Sequence, residues 1–298
     1  MTRIVSFDIE EWYIEKALHG GRKEKYKLFD TYLSQILDTL DEVNMKATFF
    51  CLGKIATDFP YVVKCIAERG HEIGCHSNEH LWINKMTPAQ FQNDTHDAIA
   101  ALEDVCGTKV RSYRAPAFSI GENNKWAFEI LAENGIDRDA SVFPAKRDFG
   151  GFASFPTASP IWVEYNGVRI KEFPICMVDI LNHRIAYSGG GYFRFFPYLY
   201  ITQQMDKSTY SMCYFHIGDL LYNKSRMMTK YEYENYFKEP GTFKNRLVRY
   251  VKSTLGTKGA FEKMCRLLNT YPMTSLKHAN DMIDWQNMPI VQVEKLYV

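Results

Sequence analysis

The sequence lacks the features that mark several special classes of protein. Its seven cysteines are scattered and include no Cys-x-x-Cys pair, which argues against a disulfide framework or a cysteine-type zinc site and favours a reducing compartment. No apolar run approaches the ~20 residues of a membrane-spanning helix. With 36 Lys and Arg against 35 Asp and Glu, the chain has no basic excess of the kind that nucleic-acid binders carry, so no nucleic-acid partner is expected.

The first residues and the length set further limits. Met1-Thr2-Arg3 leads directly into strand-like residues 4–7 without an apolar signal core, so a cytoplasmic location is expected. A chain of 298 residues can bury a large core without disulfides. Length alone suggests about two domains, although a barrel often runs ~200–250 residues as one.

Strands and helices alternate in the first half of the sequence. Apolar runs predict strands at 3–9, 46–52, 72–75, 110–113 and 136–140, and helical signals predict helices at 28–43, 55–69, 87–105 and 125–134. This alternation predicts a parallel sheet or an α/β barrel. Later segments predict a hairpin at 161–173 with Asn166-Gly167 at its turn, a glycine turn at 188–191 entering an aromatic strand, and a strand at 210–216. Residues beyond about 236 are predicted to be helical.

Polar clusters follow two of the predicted strands, at the end where α/β barrels place their active sites. Asp8 and Glu10 close the first strand on one face, so one carboxylate can hold a cation while the other takes a proton. His76 and His80 follow the third strand, and with a carboxylate they would form an open catalytic metal site. Taken separately, a helix cap or surface pair explains the acids, and surface histidines in a loop explain the second cluster.

Two further residues suit the same chemistry. Arg114 follows the fourth strand, where a guanidinium can keep a carboxylate ionised and oriented. His216 ends an apolar strand, where an imidazole can act as a general acid near neutral pH. A surface arginine and a satisfied core histidine are the alternatives when each is taken alone.

Together these motifs resemble the polysaccharide deacetylase family, also called the NodB homology domain, over roughly residues 3–219. The flanking segments 70–74, 139–144 and 189–194 are similar to a bacterial subgroup tied to exopolysaccharide and capsule synthesis. Any one motif is common, but four in this order are specific. In order, the motifs are Ser6-Phe7-Asp8-Ile9-Glu10, His76-Ser77-Asn78-Glu79-His80, Arg114-Ala115-Pro116 and Tyr214-Phe215-His216.

The resemblance implies a distorted (β/α) barrel, often of seven strands, that removes acetyl from an N-acetylated sugar in a metal-dependent hydrolysis. The sugar could be lipid-linked or polymeric. By motif position, Asp8 would be the general base held by Arg114, and His216 would be the general acid. Asp139 is a candidate to orient His216. The metal, expected to be Zn²⁺, would be bound by three residues, Glu10, His76 and His80.

Other residues are assigned to the substrate. A backbone N–H near Ala117 is expected to stabilise the oxyanion that forms on the acetamide. Trp12, Tyr13 and Tyr192 are expected to stack on sugar faces, and core filling is the commoner fate of such aromatic residues.

The sequence departs from the family pattern in two places. Much of the family has adjacent aspartates in the first motif, whereas Ile9 intervenes here and the second acid is Glu10, whose longer arm would place the metal slightly farther out. Related subgroup members tend to follow the last histidine with Pro-Trp-Glu, but this chain continues with Ile217-Gly218-Asp219. The second change alters the expected pocket around His216.

The sequence predicts a barrel over residues 1–236 and a helical extension packed on it over residues 237–298. Residues 237–268 hold eight Lys and Arg against two Asp and Glu, and 247, 248, 251 and 255 form an apolar stripe. A basic amphipathic helix can lie on an anionic membrane, so peripheral membrane contact is an alternative to a solvated helix packed on the barrel.

Two other functions fit the same residues. A hydrolase of another linear or cyclic amide, similar to an allantoinase, could use the same barrel and metal. A non-catalytic sugar-binding relative would be expected to have lost Asp8 or His216, and the sequence keeps both.

Overall fold

A computed structural model describes residues 1–147, 150–181, 183–222, 226–237 and 239–297. The strands are β1 Thr2–Ile9, β2 Thr48–Cys51, β3 Glu72–Cys75, β4 Ser112–Tyr113, β5 Arg138–Asp139, β6 Ile161–Tyr165, β7 Val168–Glu172, β8 Met177–Ile180, β9 His183–Ala186, β10 Tyr210–His216 and β11 Ile290–Gln292. The helices are α1 Glu11–His19, α2 Lys23–Glu42, α3 Gly53–Asp58, α4 Pro60–Glu68, α5 Pro88–Cys106, α6 Ala127–Glu133, α7 Gly190–Phe195, α8 Tyr198–Lys207, α9 Ile217–Leu220, α10 Lys230–Phe237, α11 Phe243–Thr254, α12 Ala260–Thr270 and α13 Leu276–Met282.

Nine strands form the central sheet in the order β10-β1-β2-β3-β4-β5-β7-β6-β11. The seven strands from β10 to β7 are mutually parallel, β6 pairs antiparallel with β7, and β11 adds parallel to β6. Seven parallel strands with helices between them agree with the barrel that the sequence predicts. Strands β8 and β9 form a separate hairpin.

Apolar composition explains the central strands. Residues 4–9 of β1 and all four residues of β2 are buried, as expected for parallel strands that helices cover on one face and the barrel core fills on the other. Helix α5 begins with a capping box between Thr87 and Gln90 and ends at Gly107 in the left-handed region, as its sequence indicates.

The side of the sheet beyond β10 is closed by side chains and loop backbone. The Tyr210 hydroxyl donates to the Pro174 carbonyl at 2.8 Å, and the Met212 N–H approaches the Cys176 sulfur at 3.3 Å. The Ser188 hydroxyl also donates to the Met212 carbonyl at 2.7 Å. These contacts tie β10 to the chain that follows β7, which gives the barrel its distorted closure.

Two predicted elements differ from the structure. The single helix expected at 55–69 is two helices, α3 and α4, because the chain bends at Phe59 before Pro60, and proline disfavours helical backbone at the residue it follows. The aromatic strand expected after the glycine turn is wrong, since this segment is helix α7. Phe193 of α7 is fully buried and packs edge-on against Phe215 at 4.9 Å, so tertiary contact outweighs the strand preference of the aromatic run.

The C-terminal segment is helical, as predicted, through α11, α12 and α13, and it also supplies strand β11, which was not predicted. A bridge between Thr274 and Ile4 attaches this segment to the first strand of the barrel. The boundary between residues 236 and 237 stays a prediction. Among the described residues, no helix is both long enough and apolar enough to cross a bilayer.

Candidate active site

The parallel register brings the four motifs to one end of the barrel. Asp8 pairs with His216 on β10 on one side and with Phe50 on β2 on the other. The His76 N–H donates to the carbonyl of Cys51, which extends the ladder one residue past β3, and the Arg114 N–H donates to Cys75 in the same way past β4. Polar side chains distant in sequence therefore lie together at the carboxyl ends of the strands.

Glu10, His76 and His80 form a compact cluster of ligand atoms. Glu10 Oε2 lies 2.6 Å from His80 Nε2 and 3.8 Å from His76 Nε2, and the three ligand atoms lie within 4.8 Å of one another. The exposed fraction of the side chain is 13% for Glu10, 2% for His76 and 11% for His80. Burial opposes ionisation of Glu10, but the nearby His80 and His216 hold its pKa well below the usual range.

The donor set fits a divalent metal. His76 Nδ1 donates to the Arg114 carbonyl oxygen at 2.7 Å, so its Nε2 carries the lone pair and points to the cluster. Within the described residues, His76 Nε2 and Glu10 Oε2 are buried without a hydrogen-bond partner, which is costly unless something else occupies them. Two imidazoles and one carboxylate are the ligands of an open catalytic zinc site, with a position left for water or substrate.

A short loop carries the two histidines in a strained conformation. Ser77 and His80 have positive φ values of 71° and 59°, and the Ser77 hydroxyl accepts the His80 N–H at 3.0 Å. Asp94 of α5 accepts the Asn78 N–H at 2.9 Å, and burial raises the pKa of Asp94 to about 6. Asp94 is a positioning residue that sequence reasoning missed, because an aspartate within a helix gives no sign of the loop it supports.

Arg114 and Asp8 form a fully buried ion pair beside this cluster. Arg114 Nη1 lies 2.7 Å from Asp8 Oδ1 and also donates to the Ser6 hydroxyl at 2.9 Å. The guanidinium lies over the Phe50 ring, 4.2 Å from its centre. These contacts fix one carboxylate oxygen of Asp8 and leave Oδ2 on the side of His216.

His216 is the most exposed member of the site, at 31%. Its Nε2 lies 3.7 Å from Asp8 and 3.9 Å from Glu10, while its Nδ1 bonds to Asp219 Oδ2 at 2.8 Å. Burial disfavours the imidazolium, but the carboxylates of Glu10 and Asp219 together raise the pKa of His216 well above its usual range. Arg194 in turn lies 3.3 Å from Asp219. Charges of alternating sign therefore orient His216 as a proton donor.

The prediction that Asp139 orients His216 is wrong, because Asp219 occupies that position. Asp139 is buried on β5 and accepts the Ser141 hydroxyl at 2.5 Å, and the same hydroxyl accepts the Ala115 N–H at 2.8 Å. Asp139 thus supports the turn that follows Arg114. The replacement of the usual Pro-Trp-Glu by Ile217-Gly218-Asp219 is the sequence signal that could have identified Asp219.

Asp139 also lies beside an acidic neighbour on β7. Glu172 is its register partner, is fully buried, and accepts the Val142 N–H at 3.0 Å. Burial and the adjacent Asp139 carboxylate raise the pKa of Glu172 well above its usual range. Burial also raises the pKa of Asp139, so each of these two buried carboxyls opposes ionisation of the other.

The free energy of unfolding should therefore fall as pH rises. Glu172 holds its proton more tightly in the folded protein than in the unfolded chain, so its stabilisation is present at low pH and is lost toward alkaline pH. Replacing Glu172 with Gln removes this titrating group and should flatten the dependence in thermal melts between about pH 4 and pH 9, the range from an unfolded to a buried glutamate pKa. Glu133→Gln on an exposed face of α6 is the control. Parallel pH curves for wild type and Glu172→Gln would contradict the raised pKa of Glu172.

The residues predicted to bind substrate differ in their exposure. Trp12 is fully buried, packs against Phe29 and donates to Asp30 at 3.1 Å, so its assignment to a sugar face is wrong. Tyr13 and Tyr192 are partly exposed, so their rings remain candidates for stacking.

Two residues of the turn after Arg114 have left-handed backbone, namely Ala117 (φ 54°) and Phe118 (φ 52°), and such strain recurs at functional sites.

One aromatic wall of the site was missed from the sequence. Tyr236 of α10 stacks near the His80 ring with centres 6.5 Å apart, and Phe237 packs against Trp82 at 6.5 Å. Burial and the nearby Glu10 carboxylate raise the pKa of Tyr236 well above its usual range. Residues 231–237 are rich in tyrosine, but only the tertiary fold shows that this segment reaches the metal ligands.

Comparison with known proteins agrees with this geometry. Residues 24–138 match the family model described as polysaccharide deacetylase. This segment of the chain is therefore similar to the polysaccharide deacetylase domain. Residues 140–279 match a second model, described as a domain of unknown function, DUF3473. The first match holds His76, His80 and Arg114, whereas the second holds His216, Asp219 and Tyr236.

Curated relatives cover part of the chain. The peptidoglycan-N-acetylglucosamine deacetylase of Bacillus cereus is 38% identical over 99 residues, which are 33% of this chain and 36% of the relative. The protein of that name, PgdA, from Listeria monocytogenes is 36% identical over 95 residues, which are 32% of this chain and 20% of the relative. The chain therefore spans about a third or less of the length of these relatives.

Two solved structures share the fold at low sequence identity. A Mycobacterium smegmatis protein assigned as a polysaccharide deacetylase has a TM-score of 0.65 and 16% identity, with coverage of 100% of this chain and 95% of that chain. The Puue allantoinase has a TM-score of 0.56 and 14% identity, with coverage of 94% and 89%. At these identities the likeness concerns the fold alone, and it confirms the predicted distorted α/β barrel.

Proposed function

We propose that this chain is a metal-dependent N-deacetylase that hydrolyses the acetamide of an N-acetylated sugar. The proposal rests on two buried groups of side chains that meet at one end of the barrel. The ligand cluster of Glu10, His76 and His80 lies beside the Asp8–Arg114 pair, and His216 reaches both. The match of residues 24–138 to the polysaccharide deacetylase model and relatives named as N-acetylglucosamine deacetylases support the same reaction.

The residues divide the proton transfers between them. Asp8, held through Oδ1 by Arg114, takes a proton from the water that attacks the acetamide carbonyl carbon. The carbon–nitrogen bond then breaks, and His216 donates its proton to the departing amine, which leaves acetate and a free amino sugar. A divalent metal, which we expect to be zinc from the two imidazoles and one carboxylate, would polarise the carbonyl and the attacking water.

Partly exposed aromatic residues support a sugar as the substrate. Tyr13 and Tyr192 present partly exposed rings, and Tyr236 lies over His80, so a pyranose ring could lie between apolar faces. We propose an N-acetylhexosamine within a polymer or on a lipid carrier as the substrate. The cytoplasmic location stays a prediction, to be tested by cell fractionation with the full chain.

Acetate release is the test of the proposed function. The purified protein should release acetate from N-acetylated oligosaccharides or lipid-linked N-acetyl sugars, lose that activity after chelation, and regain it when Zn²⁺ is added back. Opening of a cyclic amide or ureide ring, measured in parallel, would favour the allantoinase-like alternative. Sugar binding without turnover in the metal-loaded protein would favour the non-catalytic alternative.

Replacing Glu10 with Ala should empty the metal site. Glu10 Oε2 is the atom that joins the two histidines, so its loss leaves two ligands where an open zinc site uses three. Metal affinity should fall by at least about 10–100-fold, because that is already the effect of losing a residue that only hydrogen-bonds to a metal ligand. Elemental analysis of metal per chain measures this directly. The control is Glu79→Ala, an exposed carboxylate of the same loop, and unchanged metal content in Glu10→Ala would remove Glu10 from the ligands.

A further inference from the structure

Helix α11 presents its apolar side to solvent. Five large apolar residues, each 41% to 63% exposed, recur at helical spacing along one side and just past its end, and no residue of the helix is buried. They are Phe243, Leu247, Val248, Val251 and Leu255. A helix at the surface of a soluble domain normally turns such a stripe toward the core.

The polar side of the same helix makes the contacts with the body of the protein. Arg246 donates to the Met228 carbonyl at 3.1 Å, and the Arg249 guanidinium lies 4.5 Å from the centre of the Phe237 ring. Arg194 donates to the carbonyls of Lys252 and Ser253, both at 2.8 Å. The helix is therefore fixed with its amphipathic pattern reversed, and its outward apolar stripe is held in place rather than left to rotate inward.

Charge indicates which surface covers this stripe. Residues 243–254 hold four basic and no acidic side chains, and Lys244 and Lys252 are exposed. An apolar stripe with lysines beside it is typical of helices that lie in the interface of an anionic bilayer. A second copy of this chain would bring two basic helices face to face, which like-charge repulsion opposes.

We infer that the apolar face of α11 docks this protein on an anionic membrane surface. The stripe would enter the boundary between headgroups and acyl chains, and the lysines would contact lipid phosphates. Helix α10, which carries Tyr236 next to His80, directly precedes α11 in the chain. This inference concerns attachment and does not rest on the proposed function, so either can fail without the other.

Vesicle binding of the full chain tests the inference. The protein should sediment with vesicles made of equal parts phosphatidylcholine and phosphatidylglycerol, bind vesicles of phosphatidylcholine alone far more weakly, and lose part of its binding at high salt because surface charge is screened. Equal binding to both vesicle types, or none to the anionic vesicles, would overturn the inference.

Matched variants test whether the apolar stripe, and not nonspecific adsorption, causes the vesicle binding. Leu247→Glu combined with Val251→Glu should weaken binding to anionic vesicles at least about tenfold, because each of these apolar side chains would otherwise leave water. Lys244→Ala should weaken it about fivefold. Met282→Glu changes an equally exposed apolar residue on α13 and should bind like wild type.

Two further measurements make the variant results decisive. Circular dichroism and thermal melting of each variant should match wild type, since the changed side chains lie at the surface. Sedimentation of wild type should show a monomer. A dimer that Leu247→Glu dissolves would show that a second copy covers the stripe, and the membrane inference would then be wrong.

Discussion

Replacing Asp8 with Asn should lower kcat for acetate release by about 10²–10⁴-fold, the usual contribution of a general base. Asn keeps the shape of the side chain but cannot take the proton from water. The metal ligands are untouched, because Glu10, His76 and His80 form their own cluster. Metal content should therefore equal that of wild type, measured by elemental analysis beside steady-state kinetics. Full activity in Asp8→Asn would remove Asp8 as the base.

The control must separate lost chemistry from lost stability, because Asp8→Asn also leaves the buried Arg114 without a charged partner. Glu72 and Arg138 form another buried ion pair, 3.7 Å apart, at the start of β3 and therefore at the opposite end of the barrel. Glu72→Gln should destabilise the protein comparably and leave kcat per folded molecule unchanged. A similar drop in kcat for Glu72→Gln would attribute the loss in Asp8→Asn to unfolding.

Replacing Arg114 with Leu should lower the free energy of unfolding by about 3–5 kcal/mol, because the buried Asp8 carboxylate loses the cation that is hydrogen-bonded to it. Activity should be lost as well, since nothing then holds Asp8 Oδ1. Metal should stay bound, because His76 bonds to the backbone carbonyl of residue 114 and not to its side chain. Urea unfolding, acetate release and metal analysis measure these three outcomes.

The double variant tests whether the two residues act as a pair. Asp8→Asn with Arg114→Leu removes both buried charges, so its loss of stability should be smaller than the sum of the single losses by roughly 0.5–3 kcal/mol. Turnover should remain absent, because the base is gone. If the loss in the double variant equals the sum of the two single losses, the short contact between Asp8 and Arg114 contributes no coupling energy.

Much of the site could be predicted from the sequence, for reasons that lie in β geometry. In parallel strands a polar residue directly after an apolar run lies at the carboxyl end, so Asp8, His76, Arg114 and His216 were expected at one opening. Alternation along β1 likewise placed Glu10 on the face of Asp8, and the structure puts Glu10 with the two histidines.

Other residues could not be predicted, because their partners come from distant segments. Asp94 lies on α5 and acts on the loop of Asn78, and Tyr236 reaches His80 from another element altogether. Trp12 was assigned to substrate, but its position on the inner side of α1 buries it against Phe29. Spacing along the chain contains no information about such contacts.

The sequence by itself determined the alternation of strands and helices, the placement of the four motifs and the amphipathic pattern of residues 243–254, because each depends on local periodicity. Only the tertiary structure decided that Asp219, and not Asp139, meets His216, since that depends on which side chains fill the space around Nδ1. It also decided that the apolar side of α11 faces outward, because arginine contacts fix the rotation of that helix. Periodicity defines the faces of an element, and packing decides what each face meets.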